Sequence, residues 1–220
     1  CPPVINLPNI VDDTRFTVPD DICNVRAHLR KRLKLNSETK IAIWPARHIT
    51  EKGIPEFLSK LSPSKLDNWN ILIIGDGPER ANVERTIRER GLQDRVILHD
   101  FVAPNEMPEL YQGSDLFLLP STRDANPLSA VEAVMCGLPI LVSSRIGNFP
   151  EVLKTGINGW GFDPYDSPGA ETAIEAGFNT PLTKLRSMGA ESRKIALEVW
   201  ESESTIARFF DQVLDQKGTI

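Results

Sequence analysis

The chain has 220 residues, 40% hydrophobic and 25% charged, the proportions of a water-borne domain with enough apolar material for one sizeable core. A formal net charge of -5 argues against broad nucleic-acid binding and requires any phosphate ligand to be held by local cations. No apolar run approaches the roughly 20 residues of a membrane helix and no basic-then-apolar leader is read; Cys1, Cys23 and Cys136, without metal spacing, fit a reducing cytoplasm better than a disulfide framework.

Residues 1–24 are proline-rich with a short apolar start and read as an extended segment. RAHLRKRLKL, 26–35, predicts a basic helix with Leu29, Leu33 and Leu35 inward and its cations on a solvated face, a lipid-headgroup patch being the alternative. KIAIWP, 40–45, is a buried strand, followed by the loop ARHITEKG and a helix over 54–61. Arg47 and Lys52 share that loop. The first offers a bidentate fork and the second a point charge, which together suit a diphosphate, although two loop cations are also explained by solvation alone.

A second strand, 70–74, runs into GDGPER and a helix ending near Arg90. At Gly75 and Gly77 glycine permits positive φ and close approach of a ligand to the backbone, or simply a tight turn. Arg80 stands where the third glycine of G-x-G-x-x-G would be, which weakens a dehydrogenase reading. The third strand, 95–99, leads into a loop in which Asn105 is a candidate cap for a helix over 106–112 ended by Gly113. His28, His48 and His99 do not cluster at metal-ligand spacing, and no metal site is expected.

Residues 115–144 read as one strand–helix–strand unit, with apolar runs over 115–120 and 139–142. Asn126 is the expected N-cap, Pro127 the first helical residue, and Gly137 lies just past the end. Leu128, Val131, Val134 and Met135 form the inward stripe, and Glu132 sits at its margin, where a carboxylate needs a partner. Ligands of parallel α/β sheets bind beyond the carboxyl ends of strands. The free N–H groups of Leu128 and Ser129 would face such a crevice and favour an anion. Asp124 and Glu132 flank it and suit sugar hydroxyls, or are a turn residue and a surface acid. Cys136 reads as a small core residue. Helices are expected over 170–176, 181–188 and 190–214.

DANPLSAVEAVMCGLPI resembles the acid-x7-acid signature of the family 4 (group 1) retaining glycosyltransferases of the GT-B fold, usually written with two glutamates. The resemblance implies that Glu132 holds the ribose of a nucleotide sugar, that Asp124, one methylene shorter than usual, contacts the donor sugar, and that Asn126, Pro127, Leu128 and Ser129 carry the diphosphate. Arg47, Lys52 and Gly53 resemble the family's diphosphate clamp. Gly75 and Gly77 would border the donor pocket, and backbone groups of Phe101 and Val102 would hold the nucleobase. Gly147, Glu151, Asn158 and Gly159 match a later turn and strand, with Asn148 in place of a second glycine. Asn9, Val11, Asp12, Phe16 and Pro19 resemble the family's interdomain lead-in, and Trp200, Glu201 and Ser202 its closing helix.

The resulting expectation is a doubly wound, Rossmann-like α/β parallel sheet, the C-terminal half of a GT-B fold with extra C-terminal helices. Residues 1–24 would be the interdomain segment, 25–198 the nucleotide-sugar-binding domain and 199–220 a helix packing toward a missing N-terminal domain. The implied activity moves a sugar from a UDP- or GDP-linked donor to a hydroxyl acceptor with retention, using Arg47, Lys52, Asp124 and Glu132, without cofactor or metal. A sugar or lipid-linked acceptor would enter through the missing domain, in the cytoplasm or at the inner face of the membrane, with no nucleic-acid partner. The alternatives are a non-catalytic nucleotide-sugar-binding module and a non-hydrolysing UDP-sugar epimerase; the acid signature with its cation clamp argues against the latter.

Overall fold

The computed structural model describes residues 9–217, so Cys1 and the start of the interdomain segment lie outside the described residues. Within them six parallel strands form one sheet: β1 (Lys40–Pro45), β2 (Trp69–Ile74), β3 (Val96–His99), β4 (Leu116–Leu119), β5 (Ile140–Ser143) and β6 (Gly159–Phe162). Helices α1 (Ile22–Arg32), α2 (Ile54–Ser59), α3 (Arg80–Glu89), α4 (Met107–Gln112), α5 (Leu128–Met135), α6 (Phe149–Val152), α7 (Ser167–Asn179), α8 (Leu182–Trp200) and α9 (Ser202–Lys217) complete the described chain.

The strands are apolar on both faces because both are covered. Ile41 and Ile43 of β1, Leu72 of β2 and Phe117 and Leu119 of β4 point into one core with Leu29, Leu110, Val131 and Trp200. Their neighbours Ala42, Trp44, Ile71, Ile73, Leu116 and Leu118 point into the other, with Phe57, Val83 and Phe178. Two-residue alternation between two apolar layers is the signature of a buried parallel sheet. The order β3-β2-β1-β4-β5-β6 reverses between β1 and β4, and ligands of doubly wound sheets bind beside such a switch point.

Several sequence expectations are corrected. The first helix starts earlier, at Ile22, where Asp21 accepts the Asn24 N–H, and its cations do not all lie on a solvated face. Arg30 is buried: its Nε donates to Thr39 O, its Nη1 to Gly113 O, and its Nη2 meets Asp115 Oδ2 at 2.5 Å. The same oxygen accepts the Ile41 N–H, so one ion pair ties α1, β1 and the start of β4 together. Asn105 does not cap the fourth helix, whose capping position is Glu106 without a side-chain bond. The helix expected over 181–188 and the first part of that expected over 190–214 are one, α8, running through Gly189, where the absence of a side chain lets α8 pass against the Gly137 turn. The helix ends at Glu201, whose backbone is extended, and α9 leaves Ile206, Phe210 and Leu214 exposed at helical spacing.

Candidate functional site

The loops leaving β1 and β4 meet across the switch point. The Thr122 N–H donates to Glu51 O at 2.8 Å, and Lys52 Nζ is bonded to Asp124 Oδ2 in a partly buried ion pair. Two of the sequence-predicted residues, 72 positions apart, are thus in direct contact. They line a recess of about 280 Å³ with Ile49, Glu51, Arg123 and Ala125. Arg47 is exposed in the same loop as Lys52.

The backbone of the β1 loop is pressed onto the GDG turn. A Cβ on Gly75 would lie 2.3 Å from Ala46 O, and one on Gly77 2.5 Å from His48 O. The backbone that these glycines admit is therefore that of the neighbouring loop, the structural explanation of the turn. The His48 N–H donates to Asp76 O, and His48 O accepts from the Glu79 N–H. The His48 ring is fully buried and neither nitrogen has a partner among the described residues; burial first, then the nearby Arg80 charge, holds it below its ordinary pKa.

α5 begins beside the Lys52–Asp124 pair, but not as the sequence suggested. Pro127 occupies the capping position with extended backbone, Asn126 makes no capping bond, and Leu128 is the first helical residue. Leu128 is 43% exposed and so leaves the inward stripe, which consists of Ala130, Val131, Ala133, Val134 and Met135. As the first two residues of the helix, Leu128 and Ser129 carry N–H groups ahead of any intrahelical acceptor, with the positive end of the helix dipole behind them.

A third loop braces this entrance. The Gly147 N–H donates to Asp124 O at 2.8 Å, and a Cβ on Gly147 would lie 1.7 Å from Ala125 O, so only glycine fits. Asn148 has φ -97° and needs no glycine; its Nδ2 donates to Pro127 O at 3.2 Å. This residue, read from sequence as a departure, holds the chain in front of α5. Asn126 lines a recess of about 490 Å³ with Gly147, Asn148, Glu151, Trp200 and Arg208.

Glu132 has the partner its position demanded. The hydroxyl of Tyr111, a fully buried residue of α4, donates to Glu132 Oε2 at 2.8 Å. Burial pushes the Glu132 carboxyl above its ordinary value, opposed by the Tyr111 hydrogen bond and the Arg15 charge. Tyr111 is pushed well up by burial and by the Glu132 charge, so it remains a protonated donor. Tyr111 was missed from sequence; the available signal was the acid's need of a donor, which named no residue. Cys136 is buried, and its thiol is pushed up by burial, as a core residue's should be.

The remaining candidates are spread along the same edge. Phe101 is 77% exposed after β3, whereas Val102 is buried in the core layer that contains Tyr111. Lys52 with Asp124 lines one recess and Asn126 another.

Residues 25–194 match the family model described as "Glycosyl transferases group 1". N-acetyl-alpha-D-glucosaminyl L-malate synthase of Bacillus anthracis is 30% identical over 196 residues, 86% of this chain and 50% of that protein. The 2-deoxystreptamine glucosyltransferase of Streptomyces kanamyceticus is 32% identical over 139 residues, 61% of this chain and 35% of that protein. The chain thus spans half or less of the length of these relatives. Among solved structures, Anabaena Alr3699/HepE with UDP and glucose superposes with TM-score 0.74 at 20% identity, covering 96% of this chain and 56% of that one. The C-terminal domain of LpcC, a glycosyl transferase group 1 family protein from Francisella tularensis, gives TM-score 0.71 at 20% identity, covering 86% of this chain and 97% of that domain. At such identity the likeness is one of fold.

Proposed function

This chain belongs to the glycosyl transferases group 1 family, and on that premise we propose that it is the donor-binding half of a retaining glycosyltransferase. The reaction moves a sugar from a UDP- or GDP-linked donor to a hydroxyl acceptor. The observation that carries this reading is the contact of Lys52 with Asp124, which brings the cation of the β1 loop to the chain leading into α5.

As the glycosidic bond to phosphate breaks, negative charge grows on the leaving diphosphate. Lys52 and Arg47 supply positive charge from one side, and the Leu128 and Ser129 N–H groups supply aligned donors from the other. Such preorganised charge lowers the barrier without reorganisation during the reaction. The reading needs no metal ion. Asp124, released from Lys52 as the diphosphate takes the cation, accepts hydrogen bonds from the donor sugar, while Glu132 accepts them from the ribose. Gly75 and Gly77 brace the β1 loop at the border of the donor pocket, and the backbone at Phe101 and Val102 receives the base. A UDP complex among the structural neighbours supports a nucleotide ligand of this kind.

On this reading the acceptor side is supplied by a domain outside this chain, and the exposed Ile206, Phe210 and Leu214 of α9 support an apolar surface for it. The isolated chain is therefore expected to bind donor weakly and transfer little. The test is a panel of nucleoside diphosphates and their sugars, read first by thermal shift. A ligand at 100 times its Kd adds about 2.7 kcal/mol of apparent stability. Product analysis on the full-length protein follows. Transfer to an acceptor with retention supports the reading; a changed sugar with no acceptor overturns it.

A further inference from the structure

We propose that Tyr111 is the positioning residue for the ribose-binding acid: its hydroxyl fixes one oxygen of Glu132 and leaves the other for the vicinal hydroxyls of a nucleoside. The proposal rests on the donor-binding reading above and adds a residue that never touches the ligand.

Three observations carry it. The Tyr111–Glu132 bond, 2.8 Å, joins a fully buried phenol of α4 to a partly buried acid on the second turn of α5. Among the described residues Glu132 Oε1 has no such partner. The phenol itself is locked. Its ring stands edge-on to Phe16 at 6.0 Å and 71°, and tilted to Phe117 at 6.2 Å. Phe16 is tied back to α5, because Arg193 donates to both Phe16 O and Met135 O.

A carboxylate on a surface helix sweeps several rotamers, and each must be abandoned to hold a ligand. Glu132 is already ordered, and a preorganised acceptor loses less entropy on binding. The bond has a second consequence. The groups facing Glu132 are Tyr111 from α4, Arg15 from the segment before α1 and Cys136 from the end of its own helix. Burial favours the neutral acid, and the Tyr111 hydroxyl is the main group opposing it. A protonated Glu132 gives up part of its capacity to accept, so Tyr111 both aims the acid and keeps it charged.

The experiment titrates UDP, GDP and the 2′- and 3′-deoxy forms of UDP into the protein that contains this chain, for wild type, Tyr111→Phe, Glu132→Gln and the double variant, over a range of pH. Tyr111→Phe keeps the locked ring and deletes one hydroxyl. The expected result is an approximately tenfold loss of UDP affinity, the order set by a hydrogen bond to a charged group. Selectivity for the ribo over the deoxy forms should shrink, and the acid limb of binding should move to higher pH. Because Tyr111 acts through Glu132, its removal should cost little more in the Glu132→Gln background. Unchanged ribose selectivity and an unmoved acid limb in Tyr111→Phe would overturn the positioning role alone. A wild type that binds neither UDP nor GDP would overturn the functional reading and this role with it.

Discussion

Lys52 and Asp124 form an ion pair across the switch point of the sheet, joining the loop after β1 to the loop after β4. Each residue holds the other in place. On the proposed donor-binding reading, entry of a diphosphate must break or share this pair. Lys52→Ala should weaken UDP binding by at least about tenfold, the loss of one charge-assisted contact. Asp124→Asn should bind UDP at least as well as wild type, since Lys52 is freed, yet lose sugar transfer. Isothermal titration with an activity assay separates the two effects; parallel losses of UDP affinity in both variants would contradict this exchange.

Gly147→Ala should damage the site more than its chemistry suggests. The added Cβ would meet main chain, Ala125 O, at 1.7 Å, and main chain cannot rotate away. The loop before α5 must then move. A loss of about 1–3 kcal/mol in urea unfolding is expected, as for an overpacked site. Nucleotide affinity should fall together with stability.

Arg30→Met should destabilise the fold without touching the crevice. It removes one partner of a buried ion pair, for which about 3–5 kcal/mol is the usual cost. Urea unfolding should show this loss, while the nucleotide Kd of the remaining folded protein stays at the wild-type value.

Acid should weaken the fold through His48. Burial and Arg80 hold this ring below its ordinary 6.5, against the opposing charges of Asp76, Glu84 and Asp100. The unfolded chain then binds more protons than the folded one between the lowered value and 6.5. Stability due to this group is present above 6.5 and is lost as pH falls through the folded pKa. His48→Leu, which also removes two unpartnered nitrogens, should flatten that slope in melts at graded pH. Glu132 has the opposite sign: its raised pKa makes stability fall as pH rises from 4.5 through the folded value, and Glu132→Gln should remove that fall.

The sheet was legible because each strand is a short apolar run with turn residues at its ends. KIAIWP has the same limits in sequence and structure. The Lys52–Asp124 neighbourhood was legible only through the family resemblance, because a loop cation and an acid before a helix are each explained equally well by solvation. What stayed hidden depends on contacts between distant parts of the chain. Arg30 lies in a basic run that resembles a solvated face, and only the fold brings Asp115 to it from 85 positions away. Asn126 has the right chemistry for a cap, but extended backbone at Pro127 moves the helix start one residue on. Asn148 breaks a glycine pattern, yet its backbone is ordinary and its side chain does the bracing. Glu132 was known to need a partner; a tyrosine 21 residues earlier was one of many that could have supplied it.

A crystal structure of this protein with UDP or GDP tests the central claim most directly. The predicted result places the diphosphate between Lys52 and the N–H groups of Leu128 and Ser129, with the ribose hydroxyls on Glu132. A nucleotide bound with its phosphates away from α5, or with its ribose out of reach of Glu132, would contradict the account.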